Sequence, residues 1–419
     1  MLAGLPLLLQ HPHEPIERRR RQQRVVGVVG EIHVSERVNA ERWGSESSDL
    51  SENTSPDGAI FIPTSGSSGQ PKVVPITAYQ LIESARRVNE RLSVSEKSVW
   101  LLSLMPAHIG GLSIIVRAVV AGCTLVIPDD LKRTTLSRIA RAQQVSHLSL
   151  VPSIAEQFIS SGPLPPSLEA LLLGGERMTL TQRKKLTTVR ACYFSYGATE
   201  TASCVAVSRL ADLEGLPDAV GTPIADTVVK IIGDEEEVLP VGEIGIVEIS
   251  GPTVVVQNPT TRCAPHPTWR STDRGFLDPN GILHLIGRAD DIINSGGIKV
   301  SAHEIIDAAL ATGLVEEAAV IKTPDIRWGE RAVLFATARE SINACELTSA
   351  AILLEMLRDH LGRTRIPREI IVLTALPRTS IGKVDRAALS NYALNADREN
   401  SPLHLFVREH LDVAAQRPP

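Results

Sequence analysis

The chain has 419 residues, 43% of them hydrophobic and 22% charged, with a formal net charge of -5. At ~100–200 residues per domain this length fits two or three domains with a large buried core, and the mild acidity speaks against nucleic-acid binding, which calls for a basic face. Five cysteines, Cys123, Cys192, Cys204, Cys263 and Cys345, follow no CxxC or Cys/His spacing; they read as reduced, mostly buried thiols of an intracellular protein, not as a disulfide framework or zinc site.

Residues 1–57 are weakly patterned. The apolar run 2–9 carries its charges behind it, at Arg18, Arg19, Arg20 and Arg21, the reverse of a secretory signal, and the basic run reads as a solvated helix face. No stretch supplies the ~18 uninterrupted apolar residues of a membrane span. Ala59-Ile60-Phe61-Ile62 then reads as a short buried strand leading into Thr64-Ser65-Gly66-Ser67-Ser68-Gly69-Gln70-Pro71-Lys72. Glycines there permit positive φ and close approach of main-chain N–H groups to a phosphate, while the hydroxyls and the lysine add donors and charge. The segment reads as a polyphosphate cradle, with a Ser/Gly surface turn as the bland alternative. It is no Walker A motif, where Gly precedes the lysine and Ser or Thr follows. Here Pro71 precedes Lys72 and the apolar Val73, Val74 and Ile76 follow, so the cradle is expected between two strands.

Thr77 and Gln80 make a capping-box pattern, and Leu81, Ile82, Ala85, Val88 and Leu92 recur on one side of a helix. A strand is expected over 100–104, then Met105-Pro106-Ala107-His108-Ile109-Gly110-Gly111, whose glycine pair opens an apolar helix over 112–121. Strands at 123–127, 147–151 and 170–173, the last ending in Gly174-Gly175-Glu176, alternate with helical stretches such as 136–143. This alternation predicts an α/β sheet with its ligand crevice beyond the strand ends, where both glycine pairs fall. From about 228 the short strands 228–232, 245–250 and 282–286 predict a small β subdomain. Beyond Arg288 a helix at 302–310, a strand at 318–321 and a helix at 350–361 predict a separate α+β domain. The expected division is 1–57, a large α/β domain with its β subdomain over 58–288, a smaller domain over 289–397, and a tail over 398–419 in which Leu403, Phe406 and Leu411 suit a short amphipathic helix.

Later motifs repeat the polar-loop theme. Tyr196-Gly197-Ala198-Thr199-Glu200-Thr201 offers a ring for a purine, a hydroxyl for a phosphate and a carboxylate for Mg²⁺; taken alone, it is equally a packed tyrosine and a surface glutamate. Trp269-Arg270-Ser271-Thr272-Asp273 offers a carboxylate suited to ribose hydroxyls, or merely a turn aspartate. Gly287-Arg288-Ala289-Asp290-Asp291 falls at the change of domain, and Pro377-Arg378-Thr379-Ser380-Ile381-Gly382-Lys383 puts a lysine on a loop far along the second domain.

Over about residues 59–389 these motifs, in this order, resemble the adenylate-forming superfamily of acyl- and aryl-CoA ligases, peptide-synthetase adenylation domains and firefly-type luciferases. His108-Ile109-Gly110-Gly111-Leu112-Ser113 and the run Thr199-Glu200-Thr201-Ala202-Ser203 most resemble the CoA ligases that serve menaquinone biosynthesis. The resemblance implies an enzyme in which a carboxylic acid attacks the α-phosphate of ATP, after which a mobile C-terminal domain swings and the thiolate of coenzyme A attacks the acyl carbon. It implies that Thr64, Ser65, Gly66, Ser67, Ser68, Gly69 and Lys72 hold the β- and γ-phosphates, Thr199 the α-phosphate and Glu200 the Mg²⁺. Gly174, Gly175, Glu176, Tyr196 and Gly197 would line the adenine, with Asp273 and Arg288 at the ribose. Lys383 would bridge carboxylate and α-phosphate, Asp290 would be the hinge, and Gly296 and Gly297 would border the CoA tunnel. His108, Gly110, Gly111 and Ser203 would face the acid, although His108 could instead cap its helix and Ser203 its own loop. A cytoplasmic homodimer is consistent with the family. Two features depart from its pattern: Ser271-Thr272-Asp273 stands where Thr-Gly-Asp is usual, and about 60 residues precede the cradle where most members have more.

Overall fold

The computed structural model describes residues 7–8, 31–34, 38–41, 59–64, 72–160, 162–255, 267–339, 350–378, 384–394 and 404–405. The chain forms two compact units, Met1–Ile286 and Gly287–Pro419. In the first, β1 (Leu7–Leu8) runs parallel to β4 (Ala59–Thr64), while β2 (Glu31–Val34) and β3 (Val38–Glu41) form a separate hairpin. β4 pairs antiparallel with β5 (Lys72–Thr77), and Thr64 faces Lys72 at the open end. The cradle residues 65–71 therefore join two paired strands. α1 (Ala78–Arg91) starts where the capping box puts it: Gln80 N–H donates to Thr77 Oγ1 at 3.2 Å, and Thr77 N–H donates to Gln80 Oε1 at 2.9 Å.

Next come β6 (Val99–Leu101), α2 (Ile109–Ala121), β7 (Thr124–Val126), α3 (Arg133–Ala142), β8 (His147–Leu150), α4 (Pro152–Ser160), β9 (Ala170–Leu173), α5 (Leu180–Thr187), β10 (Cys192–Ala198) and β11 (Ser203–Arg209). They build a six-stranded sheet in the order β11-β10-β9-β8-β6-β7, parallel except for the antiparallel pair β10–β11. The sequence Ala170-Leu171-Leu172-Leu173 is apolar throughout because helices cover both faces of this sheet. Leu171 and Leu173 pack with Leu136, Phe158 and Leu186 from α3, α4 and α5. Ala170 and Leu172, on the opposite face by the two-residue alternation of a strand, pack with Val88 of α1, Ile114 of α2 and Trp100. α2 begins three residues before the expected start, with the glycine pair inside its first turn. The reason is packing: a Cβ on Gly111 would lie 2.2 Å from the Met105 carbonyl oxygen.

β12 (Ala219–Gly221), β13 (Val228–Ile232), β14 (Gly245–Ser250), β15 (Thr268–Leu277) and β16 (Leu283–Arg288) form the β subdomain, in the order β12-β16-β15-β14-β13. Trp269 to Asp273 lie within β15, so Asp273 is a strand residue and not the turn aspartate considered from the sequence. In the second unit β17 (Ile292–Ser295), β18 (Ile298–Ser301), α6 (Ala302–Ala311), β19 (Val315–Asp325), β20 (Gly329–Ala338), α7 (Ala350–Leu361), β21 (Glu369–Leu373), α8 (Arg386–Leu394) and β22 (His404–Leu405) form an α+β body. Its strand order is β18-β17-β20-β21-β22, with β19 also on β20. One face packs on α6 and α7 through Ile305, Leu353 and Leu357, the other on α8 through Leu389 and Ala393. His404 and Leu405 pair with β21, so a strand interrupts the helix expected in the tail. Leu403, Phe406 and Leu411 lie outside the described residues.

One buried group makes the first unit acid-sensitive. His147 is fully buried, with Nε2 donating to the Leu92 carbonyl at 3.3 Å and Nδ1 accepting from Ser146 Oγ at 2.9 Å. Burial pushes its pKa below the ordinary 6.5, outweighing the Leu92 hydrogen bond. Above about pH 6.5 the imidazole is neutral in both folded and unfolded chains and the stability is whole; as pH falls, the unfolded chain binds the proton first and stability declines until the folded value is reached. Urea midpoints measured from pH 7 to pH 5 should therefore fall, and His147→Gln should flatten part of that slope.

Candidate active site

In the first unit, Lys72 and Asp273 meet the predicted residues of one short stretch, 195–204, at the end of β10 and the start of β11. β9 and β10 are parallel, with Leu173 beside Phe194, so Gly174 leaves β9 next to Ser195, which β10 carries on in its pairing with β11. A Cβ on Gly174 would lie 2.4 Å from Ser195 Oγ, and Gly175 has φ +79°. Glu176 is held by Ser153, whose hydroxyl donates to Oε2 at 2.8 Å. Tyr196 and Gly197 belong to β10 itself and not to a loop, since the pairing with β11 continues past them through a bulge. Gly197 is required at that bulge, where a Cβ would sit 2.0 Å from the Ser203 carbonyl oxygen.

Three contacts then join distant parts of the chain. Tyr196 donates its hydroxyl to Asp273 Oδ2 at 2.5 Å, which brings the ring expected at the adenine and the carboxylate expected at the ribose together. Ser271 supports this pair by accepting from the Asp273 N–H at 3.0 Å through Oγ. Thr199, Glu200 and Thr201 form a single 3₁₀ turn after β10. Glu200 Oε1 lies 3.7 Å from Lys72 Nζ, so the last cradle residue meets the carboxylate expected at the metal. Lys72 is about half exposed, which keeps such a pair at about 0–1 kcal/mol and easily exchanged for a ligand. At the other end of the cradle Thr64 Oγ1 donates to the Lys72 carbonyl at 3.3 Å. Ser65, Gly66, Ser67, Ser68 and Gly69 lie outside the described residues.

The third contact includes a residue that the motif reading missed. Arg117, on α2, is 1% exposed and donates through Nη2 to Ser203 Oγ at 2.9 Å, with Cys204 Sγ at 3.5 Å. Its guanidinium lies 5.7 Å from the Trp100 ring centroid, and Ser113 Oγ is 3.4 Å from Ser203 Oγ. No carboxylate pairs with Arg117 among the described residues, although a buried charge ordinarily needs a partner. The sequence signal was a single arginine inside the apolar stretch 112–121. Ser203 is thus no cap for its own loop, and His108, at the N-cap position of α2, makes no side-chain capping bond.

In the second unit, Gly296 and Gly297 form the two-residue turn between β17 and β18, both with positive φ, as a type I′ hairpin turn demands. A Cβ on Gly296 would lie 2.5 Å from the Trp328 ring. Trp328 is flanked by two guanidinium groups, Arg368 at 4.4 Å and Arg327 at 5.1 Å, a second feature the sequence reading missed. Arg288 precedes the 3₁₀ turn that carries Asp290. Beside it, Asp291 accepts from Arg386 Nη2 at 2.7 Å and pairs with His303 at 3.4 Å. Burial would raise the Asp291 carboxyl, but the His303 hydrogen bond and the charges of Arg386, His303 and Arg288 outweigh it and hold the group below the ordinary value of 3.8. Lys383 lies outside the described residues.

Comparison with known proteins matches residues 5–256 to the AMP-binding enzyme family and residues 304–383 to the AMP-binding enzyme C-terminal domain. The chain belongs to the AMP-binding enzyme family. It is 27% identical over 338 residues to the 2-succinylbenzoate–CoA ligase of Enterococcus faecalis, covering 78% of this chain and 68% of that protein. It is 29% identical over 343 residues to the enzyme of that name from Staphylococcus epidermidis, covering 80% and 70%. Among solved structures, the o-succinylbenzoate CoA synthetase of Bacillus subtilis with its acyl-adenylate intermediate superposes with a TM-score of 0.69 at 26% identity, covering 80% of this chain and 69% of that one. The same enzyme with ATP and a magnesium ion gives 0.68 at 26% identity, covering 79% and 69%. Members of the family are AMP-forming, and the donor set here suits a magnesium nucleotide. Glu200 already sits beside one positive charge, Lys72 supplies a cation at the mouth of the cradle, and Tyr196 with Asp273 supplies a ring and an acceptor.

Proposed function

We propose that this protein is an ATP-dependent acid–CoA ligase whose acid is 2-succinylbenzoate, acting in menaquinone biosynthesis. The observation that carries the reading is the convergence on residues 195–204 of the Lys72–Glu200 pair, the Tyr196–Asp273 hydrogen bond and the Arg117–Ser203 hydrogen bond. In the first step a carboxylate oxygen attacks the α-phosphorus and pyrophosphate leaves. Thr64 to Gly69 and Lys72 hold the β- and γ-phosphates, Thr199 the α-phosphate, and Glu200 the Mg²⁺, which neutralises phosphate charge when bound. Gly174, Gly175, Glu176, Tyr196 and Gly197 line the adenine; Asp273 and Arg288 take the ribose hydroxyls. Lys383 supplies a cation to the carboxylate and α-phosphate oxygens as charge builds on them. In the second step the thiolate of coenzyme A attacks the acyl carbon and AMP leaves, with His108 between acid and thiol.

Two further observations narrow the substrates. A buried arginine without a described carboxylate suits an acid that brings a second one, as 2-succinylbenzoate does, and we assign Ser203, Gly110 and Gly111 to the acid as well: Ser113 donates to the Gly110 carbonyl at 2.9 Å and lies 3.4 Å from Ser203 Oγ. Trp328 between Arg327 and Arg368, next to the Gly296–Gly297 turn, offers stacking and cations to a phosphorylated nucleotide such as the end of CoA, which favours free CoA over a carrier protein. Asp290 serves as hinge between the two steps. We place the enzyme in the cytoplasm, where ATP and CoA are supplied; no helix among the described residues is long and apolar enough to cross a membrane. A panel of acids in a pyrophosphate-release assay, with and without CoA, tests the reading. Release should depend on 2-succinylbenzoate, and a thioester should form only with CoA; release with no acid in the panel, or transfer only to a carrier protein, would overturn it. Glu200→Gln should raise the Mg²⁺ concentration needed for half-maximal rate several-fold more than the KM for acid, checked by titrating each separately.

A further inference from the structure

We infer that Gln80, which touches neither nucleotide nor acid in the reading above, is a positioning residue for the Glu200 turn. The inference rests on that reading only for the name of the ligand that Glu200 holds. Gln80 is 8% exposed, at the third position of α1, immediately after the strand that carries Lys72. Its Oε1 is used locally, accepting from the Thr77 N–H in the capping box. Its Nε2 reaches across the fold and donates to the Val254 carbonyl at 2.7 Å, a buried bond. The next residue, Val255, donates its N–H to the Glu200 carbonyl at 2.8 Å. With the Lys72–Glu200 contact this closes a ring: Lys72, β5, Gln80, Val254, Val255, Glu200 and back to Lys72.

The interior of that ring is apolar. Val255 packs in one cluster with Ile62, Val74 and Ile76 of the cradle strands, Leu81 of α1 and Ala202, two residues beyond Glu200. Nonspecific packing of this kind sets a distance but no register, because apolar contacts are nondirectional. The Gln80 amide supplies the direction. It fixes the height of the 254–255 backbone, and hence where the Val255 N–H holds the 3₁₀ turn of Thr199, Glu200 and Thr201. One side chain thereby couples the end of the cradle strand to the carboxylate that meets the metal. Glutamine is the residue suited to this, since glutamate shares its capping-box acceptor but has no N–H to offer.

That difference provides the test. Gln80→Glu keeps the cap and even favours the helix N-terminus, yet it turns a donor into an acceptor facing the Val254 carbonyl. Three readouts are compared with the parent: MgATP affinity by calorimetry, hydrogen–deuterium exchange of the Val255 amide, and the KM for acid in pyrophosphate release. Loss of one buried hydrogen bond predicts MgATP affinity weakened on the order of tenfold, faster exchange at Val255 and an acid KM within about twofold, with a lower melting temperature because a buried carboxylate then faces the Val254 carbonyl. Gln80→Met, isosteric and without hydrogen bonds, should show the same MgATP and Val255 effects. Parent-like affinity and exchange in Gln80→Glu would overturn the inference, as would an equal loss of acid and nucleotide affinity, which marks a merely structural role. If the parent releases no acid-dependent pyrophosphate, the functional reading fails, while MgATP affinity and Val255 exchange still judge the role of Gln80.

Discussion

Lys383→Ala should slow formation of the acyl-adenylate by ~10²–10³, the scale of losing one preorganised electrostatic group, and leave thioester formation from a supplied adenylate nearly intact. The asymmetry follows from where charge develops. During attack on phosphorus, negative charge moves onto the oxygens between acid and α-phosphate, and a cation there stabilises the transition state more than the bound reactants. In the second step the bond to phosphorus is already made, and the same cation has little to stabilise. Single-turnover measurement of each half-reaction separates the two. Equal losses in both would contradict a role confined to the first step.

Arg117→Met should raise the KM for 2-succinylbenzoate at least ~30-fold, the lower end of the ~2–5 kcal/mol seen when one member of a buried charge pair is removed, with the KM for ATP unchanged. The variant should not lose thermal stability. Replacing a buried charge by an apolar side chain of similar volume is commonly neutral or stabilising, and Arg117 has a hydroxyl and a thiol as its hydrogen-bond acceptors among the described side chains, with no carboxylate left stranded. An acid lacking the second carboxylate supplies the control, because the variant should treat it at least as well as the parent does. A lower melting temperature with an unchanged KM would reassign Arg117 to the scaffold.

The sheet strands were legible because their signal is local. Ala170-Leu171-Leu172-Leu173, a short apolar run closed by Gly174-Gly175, reads as a strand covered on both faces, and Thr77 with Gln80 marks the start of α1 to the residue. Boundaries slipped where a long-range contact decided them. Gly110 and Gly111 read as a helix opening, yet they lie within the first turn because α2 packs on the backbone of Leu104 and Met105. Tyr196 and Asp273 read as loop residues, and both proved to be strand residues, since β10 and β15 extend by pairing with neighbours that the local pattern does not reveal.

The sequence by itself determined which segments can approach a phosphate and in what order they come, because glycine, hydroxyl and lysine content are properties of contiguous backbone. Tertiary structure alone decided the partners: Glu200 for Lys72, Asp273 for Tyr196, Ser203 for Arg117 and Val254 for Gln80. Those pairs arise where separate sheets and helices of the first unit meet. Side-chain partnership depends on that three-dimensional return, and no spacing along the chain encodes it.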